Sequence, residues 1–230
     1  MGRNLAILVA AGEGKRMGRK KQFLFIRGKP LIAYTIQPFE DSSLVDGIIL
    51  VGPKEDLGFI RNQVVEKYGF KTVEKIVPGG KRRQDSVYEG LLALEGNCDL
   101  VIVHDGARPL ITTKLLEQSI LLCQKFKAVV TAVRITDTVK REEGGFISHT
   151  LDRGLLWAAQ TPQTFAYQLL LRAYQKAFKN GYLASDDSAL VERIGQRIKI
   201  MEGSYENLKL TTPEDIPLLE AILRKRGKSL

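Results

Sequence analysis

The chain has 230 residues, 44% of them hydrophobic, and a formal net charge of +9 at pH 7. That length suffices for one large domain with a substantial core, and the composition is typical of globular proteins. No apolar run approaches the roughly 20 residues of a membrane-spanning helix, and no signal-peptide pattern opens the chain. We therefore expect a cytoplasmic protein that does not bind a membrane.

Cysteine usage and the distribution of charge narrow the function classes further. The two cysteines, Cys98 and Cys123, lie beside apolar sequence without metal-ligand spacing, so we expect reduced thiols. Basic residues cluster at 15–21, 81–83 and 224–228. They are not interleaved with aromatic residues, and no recognised nucleic-acid-binding module is present. The first two clusters follow predicted strands, which favours small anionic molecules over nucleic acid as partners.

Apolar segments of strand length alternate with segments of helical length through the first half of the chain. We predict strands at 5–10, 47–51, 75–77, 100–103 and 128–133. Helices are predicted between them, at 31–40, 57–68, 84–94 and 113–126. This order predicts an α/β fold of three layers, in which helices cover both faces of a mostly parallel sheet. Ligands of such sheets bind at the carboxyl ends of the strands.

The alternation is interrupted after residue 133. Segments 138–141 and 146–151 flank the glycine-containing turn 142–145, which predicts a β-hairpin. We expect residues 136–154 to project as a β-arm from a single domain that spans 1–230. The α/β pattern then resumes, with strands predicted at 157–159, 198–201 and 208–210 and helices at 166–179 and 187–194.

The first motif is a glycine-containing turn directly after the first predicted strand. Residues 8–17 have the sequence LVAAGEGKRM, and further basic residues follow at 19–21. Gly12 and Gly14 let backbone N–H groups approach anionic oxygens, and the cations supply charge. The spacing fits neither a P-loop nor the dinucleotide fingerprint, whose third glycine would stand at Met17. Two glycines alone fit an ordinary tight turn, whereas the basic cluster favours a polyphosphate ligand.

Two further motifs follow predicted strands. Residues 78–87, PGGKRRQDSV, combine flexible backbone at Gly80 with the hydroxyl of Ser86, although such a segment can also be a plain loop before a capped helix. Residues 101–109, VIVHDGARP, place Asp105 and Arg108 after buried-type residues. A carboxylate there can bind Mg²⁺ or a hydroxyl, and an arginine can bind a phosphate; a surface ion pair is the alternative. We expect His104 to be a packed residue.

The last two motifs lie in the second half of the chain. Arg153 stands at the base of the predicted arm and is followed by the segment AQTPQ, which contains Thr161. An exposed charge on a hairpin is the alternative interpretation of Arg153. Lys209 lies between two leucines of the last predicted strand, a position that helix capping does not explain.

These five motifs, in this order, resemble the sugar- and polyol-phosphate nucleotidyltransferases, which transfer a nucleoside monophosphate from a triphosphate onto a phosphate. Within that superfamily they are most similar to the family of 2-C-methyl-D-erythritol 4-phosphate cytidylyltransferases of the non-mevalonate isoprenoid pathway. The resemblance extends from Leu8 to Asp215. It implies a Rossmann-like nucleotidyltransferase fold, CTP as co-substrate with Mg²⁺ or another divalent cation, and a homodimer joined through the β-arms.

The resemblance also implies a role for each matching residue. Arg16, Lys21, Arg153 and Lys209 would be catalytic, the first two by stabilising charge at phosphorus. Nucleotide contacts would come from the first three motifs, at Ala10, Ala11, Gly12, Gly14, Gly80, Lys81, Ser86 and Asp105. The polyol phosphate would contact Arg108, Arg153, Thr161, Lys209 and Thr138 of the partner subunit. Asp105 is also the possible metal ligand.

Alternatives remain at this stage. Lys20 stands where the family usually has proline, so Lys20 competes with Lys21 for the catalytic role. A ribitol-5-phosphate cytidylyltransferase shares most of the same motifs, and acceptor contacts would distinguish it. A nucleotide- or RNA-binding protein without catalysis is the alternative from a different class. The expected chemistry is plausible without a general base, because the attacking phosphate is already anionic and needs positioning and charge stabilisation.

Overall fold

The computed structural model describes residues 2–14 and 20–227. The described chain contains a central sheet and two small two-stranded sheets. The strands are β1 (Asn4–Val9), β2 (Phe25–Ile26), β3 (Lys29–Pro30), β4 (Gly47–Gly52), β5 (Val73–Pro78), β6 (Leu100–Asp105), β7 (Ala128–Arg134), β8 (Lys140–Glu143), β9 (Phe146–Thr150), β10 (Trp157–Ala166) and β11 (Lys199–Glu202).

The central sheet has seven strands in the order β11-β7-β10-β6-β1-β4-β5. Strand β1 pairs in parallel with β4 and with β6, and β4 pairs in parallel with β5. Strand β10 runs antiparallel to both of its neighbours, β6 and β7. The carboxyl ends of β1, β4, β5 and β6 therefore meet at one edge of the sheet, where we expected the ligand site.

Helices cover both faces of the sheet, as predicted. The helices are α1 (Leu31–Glu40), α2 (Leu57–Phe59, continued by the π-helical segment Ile60–Glu66), α3 (Arg83–Ala93), α4 (Thr113–Phe126), α5 (Tyr167–Lys179), α6 (Asp187–Arg193) and α7 (Asp215–Lys225). Because side chains alternate along a strand, Ala6 and Leu8 of β1 pack with α1 and α4, whereas Leu5 and Ile7 pack with α3 and α5. No helix among residues 2–14 and 20–227 is long and apolar enough to span a bilayer.

The fold class is confirmed, and three of the differences between predicted and observed strands lie close to the site. The strand predicted at 100–103 continues to Asp105, because polar residues at its carboxyl end still pair with β1. The strand predicted at 157–159 extends to Ala166 as β10 and includes Pro162, at a register shift in its pairing with β7. A proline is tolerated at such an irregularity because no ladder N–H is needed there. Segment 208–210 is not a strand; the N–H of Leu210 donates to the carbonyl of Ala107 instead.

The predicted hairpin is formed by β8 and β9, and its turn is shorter than expected. The strands enclose Gly144 and Gly145, both at positive φ, instead of the four residues 142–145. This two-residue turn matches the preference of hairpins for φ values that glycine adopts without strain. All residues of β8 and β9 are exposed, and the pair forms a sheet separate from the central one.

Candidate active site

A cavity of about 430 Å³ opens at the carboxyl edge of the parallel strands. Its walls come from the loop after β1, the loop after β5, the end of β6 and the segment before α7. The lining includes ten of the predicted site residues: Ala10, Ala11, Gly12, Gly14, Lys21, Gly80, Lys81, Ser86, Asp105 and Lys209. The fold thus brings four of the five sequence motifs to one cavity.

The loop after β1 presents its backbone to this cavity. Gly14 has a φ of 68°, a left-handed conformation that residues with a Cβ adopt only with strain. A Cβ added to Gly12 would meet no heavy atom of residues 2–14 and 20–227 within 4 Å, so the space beside Gly12 is open toward that part of the chain. The buried Gln22 amide holds the loop by donating to the carbonyl of Ala10 at 2.7 Å and of Gly12 at 3.0 Å. We assigned no role to Gln22 from the sequence, although it directly follows Lys21.

The loop after β5 packs closely against the loop after β1. A Cβ on Gly79 would lie 2.3 Å from the Cβ of Ala11, a distance that real side chains do not reach. The Ser86 hydroxyl accepts from the N–H of Gly80 at 3.2 Å and donates to the carbonyl of Arg82 at 3.0 Å. Ser86 therefore shapes this loop, and the backbone of Gly80 stands at the cavity wall.

Asp105 is the charged centre of the cavity floor. Its Oδ2 lies 2.7 Å from Nζ of Lys209, and its Oδ1 lies 2.8 Å from Nε of Arg83. Burial favours the neutral acid, but the two cations outweigh burial and hold the pKa of Asp105 well below its usual range. Lys209 and Arg83 both line the cavity, so two cations face it while sharing one buried carboxylate.

Arg83 is a cavity residue to which the sequence analysis gave no role. Its Nη2 lies 2.9 Å from Oδ2 of the fully buried Asp187, whose other oxygen accepts a hydrogen bond from Tyr174. Burial alone would lower the pKa of Arg83, yet Asp187 and Asp105 raise it well above the ordinary value. The available signal was the position of Arg83 in the second motif, four residues after Gly79.

Lys20 and Lys21, the two candidates for the catalytic lysine, have different surroundings in the structure. Lys20 forms ion pairs with Glu55, at 2.6 Å, and with Asp56. Lys21 lines the cavity. Arg16 lies outside the described residues, as do the other positions from 15 to 19.

Four predicted contacts of the polyol phosphate lie outside the cavity lining. The guanidinium of Arg108 donates to the carbonyl of Asn207 at 2.7 Å, and its buried Nε lies 3.9 Å from Oδ2 of Asp105. Thr161 is buried and accepts a hydrogen bond from the N–H of Asp105 at 3.1 Å. Arg153 and Thr138 are exposed at the β-arm, where Arg153 donates to the carbonyl of Thr136. Within one chain, the fold does not bring these arm residues to the cavity.

The described residues do not form a resident metal site. In the chain as described, no group of three or more His, Cys, Asp and Glu side chains could hold an ion. Asp105 was the predicted possible ligand, but both of its oxygens already contact cations. We therefore derive no catalytic step through a protein-held metal.

Comparison with known proteins identifies the family. The family described as "IspD: 2-C-methyl-D-erythritol 4-phosphate cytidylyltransferase" matches residues 5–225. This chain belongs to the IspD family. A curated relative from Clostridioides difficile (strain 630), named 2-C-methyl-D-erythritol 4-phosphate cytidylyltransferase, is 48% identical over 219 residues, covering 94% of this chain and 92% of the relative. A relative of the same name from Alkaliphilus oremlandii (strain OhILAs) is 44% identical over 223 residues, covering 96% and 94%.

Solved structures agree with this assignment. The 4-diphosphocytidyl-2C-methyl-D-erythritol synthase from Anaerococcus prevotii DSM 20548 superposes with a TM-score of 0.86 at 33% identity, covering 97% of this chain and 99% of that one. The IspD family is one of cytidylyltransferases, which confirms the predicted enzyme class. The same comparisons favour the methylerythritol phosphate family over the ribitol phosphate alternative and over a binding protein without catalysis.

Proposed function

We propose that the chain transfers CMP from CTP to 2-C-methyl-D-erythritol 4-phosphate, giving 4-diphosphocytidyl-2-C-methyl-D-erythritol and pyrophosphate. The observation that carries the proposal is that the IspD family match, over residues 5–225, includes every loop that lines the cavity. The cavity supplies what the reaction requires, namely backbone for a triphosphate and cations for the charge that develops at phosphorus.

CTP would bind along the two glycine-containing loops. The open space at Gly12 permits close approach of phosphate oxygens to backbone N–H groups, and Ala10, Ala11 and Gly14 complete that wall. The cytosine would lie against the loop after β5, at the backbone of Gly80 and Lys81 next to Ser86. Ser86 would act there mainly by fixing the loop, because its hydroxyl is already bonded to loop backbone.

The chemical step is an in-line displacement at the α-phosphorus of CTP. An oxygen of the acceptor phosphate forms the new P–O bond, and the bond to the bridging oxygen of the β-phosphate breaks, so that pyrophosphate leaves with the electron pair. No general base is needed, because the attacking oxygen is already anionic. Lys21 and Arg16 would stabilise the charge on the α-phosphate, and Lys209 would orient the acceptor phosphate.

The acceptor side of the site would be completed in a homodimer. Arg153 and Thr138 lie at the exposed β-arm, outside the cavity of their own chain. An arm exchanged between subunits would let Arg153 and Thr138 of the partner subunit reach the acceptor, beside Arg108 and Thr161. Sedimentation velocity tests this arrangement: a dimer at micromolar concentration is expected, and a monomer with full turnover would contradict it.

We propose Mg²⁺ as the counter-ion that arrives with the triphosphate of CTP. Mg²⁺ is commonly held by substrate phosphates, water and at most one or two carboxylates, which agrees with the lack of a metal cage among residues 2–14 and 20–227. We place the enzyme in the cytoplasm, which suits its nucleotide substrate and the two unpaired thiols of Cys98 and Cys123.

A pyrophosphate-release assay tests the proposed reaction. ATP, CTP, GTP and UTP are each supplied with methylerythritol 4-phosphate, with ribitol 5-phosphate or with no acceptor. We expect release with CTP and methylerythritol 4-phosphate together, at a kcat/KM at least tenfold above that of any other pair. Equal or faster turnover of ribitol 5-phosphate, or binding of CTP without turnover, would overturn the proposal.

A further inference from the structure

A buried chain of hydrogen bonds lies directly behind the cavity floor and centres on His104. The imidazole is fully buried. Its Nδ1 lies 3.0 Å from Oγ1 of Thr161, and that oxygen accepts from the backbone N–H of Asp105 at 3.1 Å. Its Nε2 lies 3.2 Å from the carbonyl oxygen of Arg108. One ring thus connects both ends of the 105–108 turn and ties the turn to β10.

The partners of the ring select a single protonation state. The carbonyl of Arg108 can only accept, so Nε2 must carry a hydrogen. The Thr161 oxygen already accepts from Asp105, so its own hydrogen is directed to Nδ1. A neutral ring with hydrogen on Nε2 therefore gives a partner to both ring nitrogens, the Thr161 hydroxyl and the Arg108 carbonyl. Burial also favours the neutral form of the ring.

The turn that His104 holds carries Arg108, a predicted contact of the acceptor phosphate, and Asp105, whose carboxylate pairs with Lys209, the cation assigned to the acceptor phosphate. Its backbone is closed by the N–H of Arg108, which donates to the carbonyl of Asp105 at 3.0 Å. The Asp105 carboxylate in turn contacts Lys209 and Arg83 at the cavity wall. A shift of this turn would therefore displace several charges at once, although His104 itself is absent from the cavity lining.

Packing alone does not explain a histidine at this position. The ring lies 5.4 Å from that of Phe39, in an apolar layer where a phenylalanine would also pack. A hydrocarbon ring would leave the Thr161 hydroxyl and the Arg108 carbonyl without these partners. We propose that His104 is a positioning residue for the acceptor side of the active site, acting through the 105–108 turn; this role rests on the proposed function.

The test compares the wild type with His104→Phe, which keeps a ring of similar shape but removes both hydrogen bonds. Thr161→Val provides a second variant should the first not fold; this nearly isosteric change removes the bonds of the hydroxyl to Nδ1 and to the Asp105 N–H and keeps the bond of Nε2 to the Arg108 carbonyl. Thr161→Ser is the conservative match, since it restores the hydroxyl. Steady-state constants are measured for CTP and for methylerythritol 4-phosphate at a temperature at which circular dichroism shows each variant folded.

We expect kcat/KM for the acceptor to fall about 10- to 100-fold in His104→Phe and Thr161→Val, because small displacements of positioning groups are costly. KM for CTP should change less than about threefold, since the ring bonds to Thr161 and Arg108, which are predicted contacts of the acceptor and not of the nucleotide, and Thr161→Ser should regain most of the activity. Folded variants with wild-type kcat/KM for the acceptor, or with equal losses for both substrates, would overturn the role.

Amide hydrogen exchange of Asp105 without substrate separates this inference from the proposed function. Exchange at the Asp105 amide should be slow in the wild type and at least about tenfold faster in Thr161→Val, because its acceptor is removed. Unchanged exchange would overturn the inference even if the enzyme turns over as proposed. Accelerated exchange in a protein that does not turn over would contradict the proposed function and leave the structural role of His104 intact.

Discussion

Lys209 and Asp105 form a 2.7 Å ion pair in the wall of the cavity, and this pair places the cation that we assign to the acceptor phosphate. The carboxylate is 9% exposed, whereas the lysine side chain is 36% exposed. The buried carboxylate of Asp105 therefore fixes the position of the Lys209 amine, and the more exposed lysine side chain lines the cavity.

Replacing Asp105 by asparagine should lower both the free energy of unfolding and kcat. Asp105→Asn leaves Arg83 and Lys209 without a shared counter-charge, and breaking a buried pair costs about 3–5 kcal/mol, an upper bound here because Lys209 is partly exposed. Urea unfolding at pH 7 measures the loss. Glu95→Gln, which removes an exposed ion pair with Lys75, is the control and should cost at most about 1 kcal/mol. Equal stability of the two variants would contradict the assigned importance of Asp105.

Gly12→Ala should raise KM for CTP without affecting the fold. The added methyl group meets no atom of the described residues within 4 Å, so its effect should appear when a ligand occupies the adjacent space. We expect at least a tenfold rise in KM for CTP and an unchanged melting temperature. Gly58→Ala, at another glycine with open space, is the matched control and should leave KM unchanged. A normal KM in Gly12→Ala would place the triphosphate elsewhere.

Arg83 should be energetically coupled to Asp187. The two side chains are 2.9 Å apart, and Asp187 is fully buried. In a double-mutant cycle of Arg83→Met and Asp187→Asn, measured by urea unfolding, we expect a coupling of about 0.5–3 kcal/mol, as for contacting residues in one network. Strictly additive effects would show that Asp187 does not hold Arg83 at the cavity.

Local patterns predicted the sheet, its helices and the glycine loops because each has a strong short-range signal. The apolar side chains of β1 alternate in direction and so divide between the two cores, and the helix predicted at 31–40 begins and ends as expected. Strand β10 was predicted to end at residue 159, but it continues through Gln160 and Pro162 to Ala166. Its antiparallel pairing with β6 and β7, which lie far away in sequence, overrides the local preference of these residues.

The sequence could indicate those residues of the candidate site that belong to a short motif. It could not indicate residues whose position depends on contacts between distant parts of the chain. The glycines and Lys209 stand in recognisable patterns. The role of Arg83 depends on Asp105 and Asp187, which lie 22 and 104 residues away along the chain. The side chain of Gln22 likewise reaches back to carbonyls of the preceding loop. No local pattern specifies such partners.

The stability of the wild type should decrease as the pH falls from about 6.5 to about 4, in part through His104. Burial lowers the pKa of His104 from its ordinary 6.5 to about 4. Between these values the unfolded chain binds a proton that the folded chain does not, so acidification favours unfolding. His104→Gln cannot bind this proton, so its unfolding free energy should change less between pH 7 and pH 5. An identical pH dependence of the two proteins would contradict a neutral buried His104.

The kcat of Lys21→Ala, compared with that of Lys20→Ala, tests the central claim most directly. The claim is that a cation in the cavity stabilises the charge on the α-phosphate during transfer, and that the reaction uses no protein nucleophile or general base. With saturating CTP and methylerythritol 4-phosphate, Lys21→Ala should lose about 100- to 1,000-fold in kcat. Lys20→Ala, whose lysine pairs with Glu55 and Asp56, should stay within about threefold of wild type. Near-normal turnover in folded Lys21→Ala, or the larger loss in Lys20→Ala, would contradict the account.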